Sequence, residues 1–216
     1  TYTRSTSRLE DELKRNWEEY GVNRYWITDD TLNDDTKKLE RIAEIKTRNN
    51  IPLKYSCFLR IDLQHRLKQT DILVESGIEY AHYGIETLIP DSAASIGKGW
   101  HPEEQMEFIR ELKADKFENV FLHSNFMYGL PEDTLEGLKE MHYKLIDPDY
   151  CKLDTVVVSH YTIRDPQPDY PLSDPTKTTS EIQLNLAEQG YTIQDKRRVW
   201  DGILLTKNKH GLSTQQ

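Results

Sequence analysis

The stretch Ile78-Glu79-Tyr80-Ala81-His82-Tyr83-Gly84-Ile85-Glu86-Thr87 constrains the fold more than any other part of the chain. It begins as a mostly apolar run directly after Gly77 and closes on a glycine and a carboxylate. A strand that is mostly apolar along its length is the kind covered by helices in a parallel sheet. In such architectures the chemistry sits in the loops after strand C-termini, so Glu86 is the first candidate for a ligand contact. A second run, Asn125-Phe126-Met127-Tyr128-Gly129-Leu130-Pro131, ends comparably about one βα unit later. Two such mouths imply one shared site.

The segments around them alternate between helix and strand. Ser7-x-x-Glu10 has the form of a capping box, and Leu9, Leu13, Trp17 and Tyr20 recur at helical spacing up to Gly21, a natural C-terminal cap. Val22 to Asp29 reads as a strand rich in β-formers. A helix from about Asp35 to Arg48 buries Leu39, Ile42 and Ile45; Asp29, Asp30, Asp34 and Asp35 read alternatively as its caps, equally well for Asp30 and Asp34, since Asp is a preferred N-cap. Leu53 to Ile61 is the next strand, ending in Arg60 and Asp62. Leu67, Ile72 and Leu73 mark a third helix closed by Gly77. A short helical piece follows Leu88-Ile89-Pro90-Asp91, and Pro102 with Glu103 and Glu104 opens a helix burying Phe108, Ile109 and Leu112.

Asn119 to Met127 is then a strand, Asp133-Thr134 caps a helix with Leu135, Leu138, Met141 and Leu145, and Asp154 to Tyr161 is a strand with Val156, Val157 and Val158 as core. Strands alternating with helices predict an α/β fold with parallel, right-handed connections. The proline-dense run from Asp165 to Pro171 suits neither helix nor central strand and marks the exit from this unit. Residues 1–165 therefore form the main domain. Residues 166–216 form an extension with a helix over Ser180 to Gln189 and a hairpin within Tyr191 to Leu205, turning at Asp201-Gly202.

Composition narrows the function classes. The chain has 37 acidic and 28 basic residues, a net charge of -9, which argues against nucleic acid or an anionic membrane as a partner held by a general basic face. No run of 18 apolar residues and no charged-then-apolar leader occur, so a soluble cytoplasmic protein is expected. Thr1 stands where an initiator Met would, so the chain is expected to begin inside a longer one. Cys57 and Cys151 are the only cysteines, and their wide separation fits neither a disulfide framework nor a clustered thiolate site.

The ordered set Arg60-Ile61-Asp62, Tyr83-Gly84-Ile85-Glu86-Thr87, Ile96-Gly97-Lys98 and Gly129-Leu130-Pro131-Glu132-Asp133-Thr134 resembles the radical S-adenosylmethionine (radical SAM) superfamily. Within it the chain is most similar to the branch that often carries an upstream cobalamin-binding domain. The resemblance runs from about Arg4 to Arg164 and lies in the order and spacing of the whole set. It implies a partial parallel (β/α) barrel of the radical SAM type, with five strands visible and the first strand missing. The family's CxxxCxxC triplet, which lies just upstream of a segment like Arg4 to Glu10, is absent. The resemblance then implies an N-terminal truncation that leaves the next strand edge unpaired, a predicted aggregation site.

The same resemblance implies site residues. Asp29 and Asp30 stand where an acidic group receives the ammonium of S-adenosylmethionine by charge-assisted hydrogen bonds. Arg60 suits its carboxylate through a planar fork, the alternative being a surface pair with Asp62 worth about 0 to 1 kcal/mol. Lys98 occupies a position where relatives often have Arg, keeping the charge and losing the fork. Glu86, Thr87 and Asn125 are implied as polar contacts around the ribose and amino-acid part. No catalytic residue and no metal ligand is assigned within the chain.

The implied cofactors are S-adenosylmethionine and a 4Fe-4S cluster whose ligands are not in this chain, with cobalamin as a further candidate. The implied partners are a reductant for the cluster and a substrate, small or macromolecular, that the sequence does not identify. His82, His123 and His160, on three neighbouring strands, support three readings. One is a zinc-dependent barrel hydrolase with Glu86 as base. Another makes them part of the substrate pocket of the radical chemistry, and the last leaves them as core histidines; a non-catalytic barrel module remains a further functional class.

Overall fold

In the computed structural model the described residues are 5–130, 132–161, 204–208 and 211–214. The first helix, α1 (Thr6–Tyr20), is capped by Ser5, whose hydroxyl accepts from the Arg8 N–H at 3.4 Å. Ser7, the expected cap, is already helical, whereas Ser5 has the extended backbone that a cap requires. Gly21 ends the helix in the left-handed conformation. Strand β1 (Arg24–Ile27) and a 3-10 turn (Leu32–Asp34) precede α2 (Thr36–Arg48). Asp35 caps α2 by accepting from the Lys37 N–H at 3.0 Å. Of the four acids that read as possible caps, Asp29, Asp30 and Asp34 do not cap this helix.

After β2 (Lys54–Leu59) the single helix expected from Leu67, Ile72 and Leu73 is two helices, α3 (Ile61–Arg66) and α4 (Thr70–Ser76). Lys68 between them has a positive φ of 51°, which no helix tolerates, and Leu67 is 42% exposed. Gly77 then leads into β3 (Ile78–Glu86) with φ 105°. A Cβ there would collide with the Leu53 carbonyl oxygen, so only glycine fits this approach. The remaining elements are α5 (Pro90–Ser95), α6 (Pro102–Ala114), β4 (Phe121–Tyr128), α7 (Leu135–Ile146), β5 (Thr155–His160), β6 (Leu204–Asn208) and β7 (Gly211–Thr214).

The strands lie in one sheet in the order β1-β2-β3-β4-β5-β6-β7. The first five are parallel, as expected, and β1 stands at one end of the order. Beyond β5 the sheet continues with two antiparallel strands, the register pairing Thr155 with Thr206 and Leu205 with Thr214. The hairpin expected within Tyr191 to Leu205, with its turn at Asp201-Gly202, falls almost wholly outside the described residues, as do Ser180 to Gln189 and the proline-dense run.

The chain divides into two compact units, Thr1–Gly84 with Glu111–His123, and Ile85–Arg110 with Ser124–Gln216. In the first, Tyr55, Cys57 and Leu59 of β2 and Ala81 and Tyr83 of β3 are buried. The Tyr83 hydroxyl donates to Gln64 Oε1 of α3 at 2.6 Å, and the Tyr55 hydroxyl is 2.7 Å from Ser76 Oγ of α4. Buried phenols need such partners, and these fix which sheet face the helices cover. Lys54, Ser56 and Phe58, alternating with the buried set, occupy the other face.

The alternation breaks once. Tyr55 pairs with Ile78 and Ser56 with Tyr80, so Glu79 is an extra residue in β3, a bulge that puts Glu79 and Tyr80 both at intermediate exposure. In the second unit Met106, Ile109, Phe126, Leu130, Leu138, Met141 and Leu145 are buried, while of the three valines expected as core only Val156 is fully so. Thr134 caps α7 by accepting from the Gly137 N–H at 3.1 Å. Asp133 instead holds the preceding turn: it accepts from the Gly129 and Leu130 N–H groups at 2.7 and 3.0 Å and from Ser92 at 2.6 Å.

Candidate functional site

In the first unit the chain leaves β1 through Asp29 and Asp30. The Asp29 carboxylate accepts from the Thr31 N–H at 3.1 Å and pairs with Lys38 at 3.0 Å; Lys38 also meets Asp34 at 2.7 Å. Asp30 is exposed, and its carbonyl accepts from the Thr31 hydroxyl at 2.8 Å. At the end of β2, Arg60 forms a fork with Asp62, Nε to Oδ1 at 3.0 Å and a terminal nitrogen to Oδ2 at 2.7 Å. Burial pushes the Asp62 carboxyl up, but the Arg60 hydrogen bonds and charge outweigh it and hold the group below its ordinary value.

The Arg60 backbone is held from the other side. Asn33, fully buried, donates to the Arg60 carbonyl at 2.9 Å and accepts from the Arg60 N–H at 2.9 Å, as a neighbouring strand would. Gln69, also fully buried, accepts from the Asn33 amide at 3.0 Å and donates to the Asn33 carbonyl at 3.1 Å and the Thr36 hydroxyl at 2.9 Å. Sequence reading missed this network. Its signal was slight: amides at 33 and 69, both where apolar spacing is interrupted.

In the second unit Glu86 ends β3 with φ 74°, a left-handed conformation that a residue with a Cβ adopts only under constraint. Its carboxylate is 3.9 Å from Lys98. Burial raises the Glu86 pKa above the ordinary carboxylate value, and the nearby Lys98 charge only partly opposes this. Thr87 is fully buried; its hydroxyl accepts from the Ile89 N–H at 3.1 Å and lies 3.8 Å from Met141 Sδ, so it shapes the turn. Ser124 Oγ accepts from the Ile85 N–H at 3.3 Å, tying the residue before Glu86 to the residue before Asn125, itself half-buried.

Of the residues expected at the site, Asp29, Asp30 and Arg60 thus belong to the first unit, and Glu86, Thr87, Lys98 and Asn125 to the second. Lys98 is brought to Glu86, while Arg60 is turned to Asp62 and Asp29 to Lys38.

The rings of His82 and His123 stand edge to face with centroids 4.3 Å apart. Burial, and then the neighbouring His123, push the His82 pKa down to about 4, so that it is neutral at pH 7. Among the described residues no group of three His, Cys, Asp or Glu is arranged to hold a metal ion. The His160 side chain lies outside the description. Cys57 and Cys151 are both buried, and burial raises the Cys57 thiol far above the range in which a thiolate forms. The chain's own cysteines therefore do not fit an iron–sulfur cluster, which needs several exposed thiolates converging. Among the described residues no helix is long and apolar enough to cross a membrane.

The sequence profile of the Radical SAM superfamily matches residues 1–143. An uncharacterized methyltransferase of Pyrococcus horikoshii is 26% identical over 166 residues, covering 76% of this chain and 34% of that protein. Among solved structures, the radical S-adenosylmethionine methyltransferase TsrM of Kitasatospora setae, with cobalamin and a [4Fe-4S] cluster bound, superimposes with a TM-score of 0.59 at 14% identity, over 73% of this chain and 31% of that one. Coproporphyrinogen III oxidase of Escherichia coli gives a TM-score of 0.53 at 16% identity, over 99% of this chain and 56% of that one. The likeness to these structures shows the fold, a partial parallel (β/α) barrel. The chain spans about a third of the length of the curated relative. On the profile match over most of its length, this chain belongs to the radical SAM superfamily.

Proposed function

We propose that this chain is the S-adenosylmethionine-binding part of a radical SAM enzyme, a barrel over residues 1–165 followed by an extension over 166–216, working in the cytoplasm. The observation that carries the reading is the match over residues 1–143, within which Asp29, Asp30 and Arg60 stand just after strands, Glu86 ends one, and Lys98 lies in the connection that follows it beyond α5. Asp29 and Asp30 receive the ammonium of the cofactor, and Arg60 and Lys98 its carboxylate. Glu86 and Asn125 bond the ribose and amino-acid part, with Thr87 keeping the turn in shape. Arg60 exchanges Asp62 for the cofactor at small cost, because an exposed pair is worth only about 0 to 1 kcal/mol. The left-handed backbone at Glu86 supports a functional role, since strain of about 1 to 3 kcal/mol persists where something depends on it.

Reductive cleavage of S-adenosylmethionine is the chemistry a 4Fe-4S cluster supplies when bound, and its ligands would come from outside these 216 residues. The chain alone is therefore expected to bind the cofactor and to be inactive. The whole protein would take a reductant for the cluster, a substrate, and cobalamin if it follows the branch that TsrM represents.

Equilibrium dialysis with labelled S-adenosylmethionine tests the binding. Arg60→Ala and Glu86→Gln are each expected to weaken it at least about tenfold, or 1.4 kcal/mol, and unchanged affinity in both would sink the assignment. Anaerobic treatment with iron and sulfide is expected to leave no stable cluster on this chain. A stable site-bound cluster would overturn the view that its ligands lie elsewhere.

A further inference from the structure

At the starts of its strands the first unit has a hollow of about 460 Å³, within the roughly 300 to 1,000 Å³ of small-molecule pockets. It lies on the sheet face that the helices leave open, at the end away from Asp29, Asp30 and Arg60. Arg24, Trp26, Lys54, Ser56, Tyr80 and Phe121 carry the argument.

Three of them are rings that a buried core would have covered. Trp26 is 50% exposed and Phe121 39% exposed. Tyr80 and Phe121 are stacked, 5.3 Å apart and 7° from parallel, and the Trp26 indole is tilted 52° to Tyr80 at 5.8 Å. The offset Tyr80–Phe121 stack thus meets an inclined indole, and ring surface stays open on Trp26 and Phe121. Leaving ring surface in water forgoes about 25 cal/mol per Å², and a further ring covers such surface in an offset or edge-to-face arrangement.

The charges point the same way. Arg24 and Lys54 are partners in the β1–β2 register, so two cations stand side by side in a chain whose net charge is -9. Adjacent like charges on neighbouring strands are unfavourable unless an anion is shared. Glu79 offsets one of them, pairing with Arg24 at 3.0 Å. The bulge at Glu79 is what brings it and Tyr80 to the open face together, and bulges recur where a side chain is re-aimed toward a site. Among the described residues no acidic group forms an ion pair with Lys54, and its charge stands beside the rings.

We propose that this hollow binds a small planar aromatic acid, its ring laid against the exposed surface of the Trp26 indole and the Tyr80–Phe121 pair and its anionic group on Lys54 and Arg24. As the substrate class of the enzyme, the inference rests on the reading given above. With the acid anchored at the strand starts, the far edge of the molecule points along the strands toward Arg60, about 13 Å away over the four residues from Ser56.

Indole-3-carboxylate is the probe, titrated by calorimetry and saturation-transfer NMR, with indole and cyclohexanecarboxylate as controls. The acid is expected to bind one to one, and each control at least tenfold more weakly. Lys54→Gln changes an exposed side chain and leaves thermal melting unaltered, yet is expected to weaken the acid about tenfold while leaving indole unchanged; Tyr80→Leu is expected to weaken both. Absence of binding at millimolar probe, equal binding of all three probes, or an unaffected Lys54→Gln overturns the proposal. So does self-association that covers the rings and is indifferent to the probe. S-adenosylmethionine titrated into the same sample separates the two readings: loss of cofactor binding with the acid retained sinks the cofactor assignment alone, and the reverse sinks this one.

Discussion

The ends of β2 and β3 both deliver a charged residue, and they do it by opposite means. At Arg60 the backbone is relaxed and clamped by a buried amide network, while the side chain is exposed and paired with Asp62. At Glu86 the backbone itself is in a left-handed conformation, and the carboxyl is partly buried with a raised pKa. The first arrangement fixes the position of the main chain and leaves the side chain free to exchange partners. The second fixes the side chain's direction through the main chain and tunes its protonation. A mouth can therefore be built by satisfying polar groups or by tolerating strain, and the two respond differently to substitution.

The largest expected effect breaks the clamp. Asn33→Ala leaves the Arg60 N–H and carbonyl and the Gln69 Oε1 without their buried partner, at about 1 to 3 kcal/mol for each group left unsatisfied, so a loss of about 3 kcal/mol is expected by chemical denaturation. Glu86→Gly goes the other way. Glycine accepts a positive φ without the roughly 1 to 2 kcal/mol that a Cβ costs there, partly offset by its extra freedom when unfolded, and a gain of about 1 kcal/mol is expected together with loss of cofactor binding. A Glu86→Gly variant less stable than the parent would remove the case for strain at this mouth.

The protonation half of the comparison is sharpened by pH. A carboxyl whose folded pKa is raised favours the folded state while protonated; that stability is present below the ordinary value of 4.5 and is lost as pH rises through the folded pKa. Glu86→Gln is therefore expected to become more stable than the parent as pH climbs above that window, and to match it below. His82 has the opposite sign. With its pKa lowered from 6.5 to about 4, it contributes stability present above pH 6.5 and lost as pH falls toward 4, observable by following its ring protons and the melting temperature together. The smallest effect is expected of Arg60→Lys, an exposed side chain that loses its fork to the partly exposed Asp62 and should shift stability by no more than about 0.5 kcal/mol.

Much of the fold was legible because it rests on local pattern. Glycines at 21 and 77, the helical spacing of Leu39, Ile42 and Ile45, and the apolar runs of β3 and β4 each mark their element within a short window. What failed were signals with two local solutions. Ser5 and Ser7 can each cap α1; Asp29, Asp30, Asp34 and Asp35 are all open as caps of α2, and the sequence does not choose Asp35 among them; and Leu67 fits a helical spacing that Lys68 interrupts. At the candidate site the sequence named the charged residues, but their partners were harder. Arg60 with Asp62 is close in sequence and was foreseen; Glu86 with Lys98, and Asn33 with Arg60 and Gln69, were not.

The sequence by itself determined the alternation of strands and helices, the family, and which side chains end the strands, because these depend on residue type and spacing along a single chain. Only the tertiary structure decided that Glu79 bulges out of β3, that Asn33 stands in for a strand beside Arg60, and that Trp26, Tyr80 and Phe121 share one open face. Register and hydrogen-bond pairing join residues tens of positions apart. Their energies depend on burial and relative geometry, which come into being when the strands align.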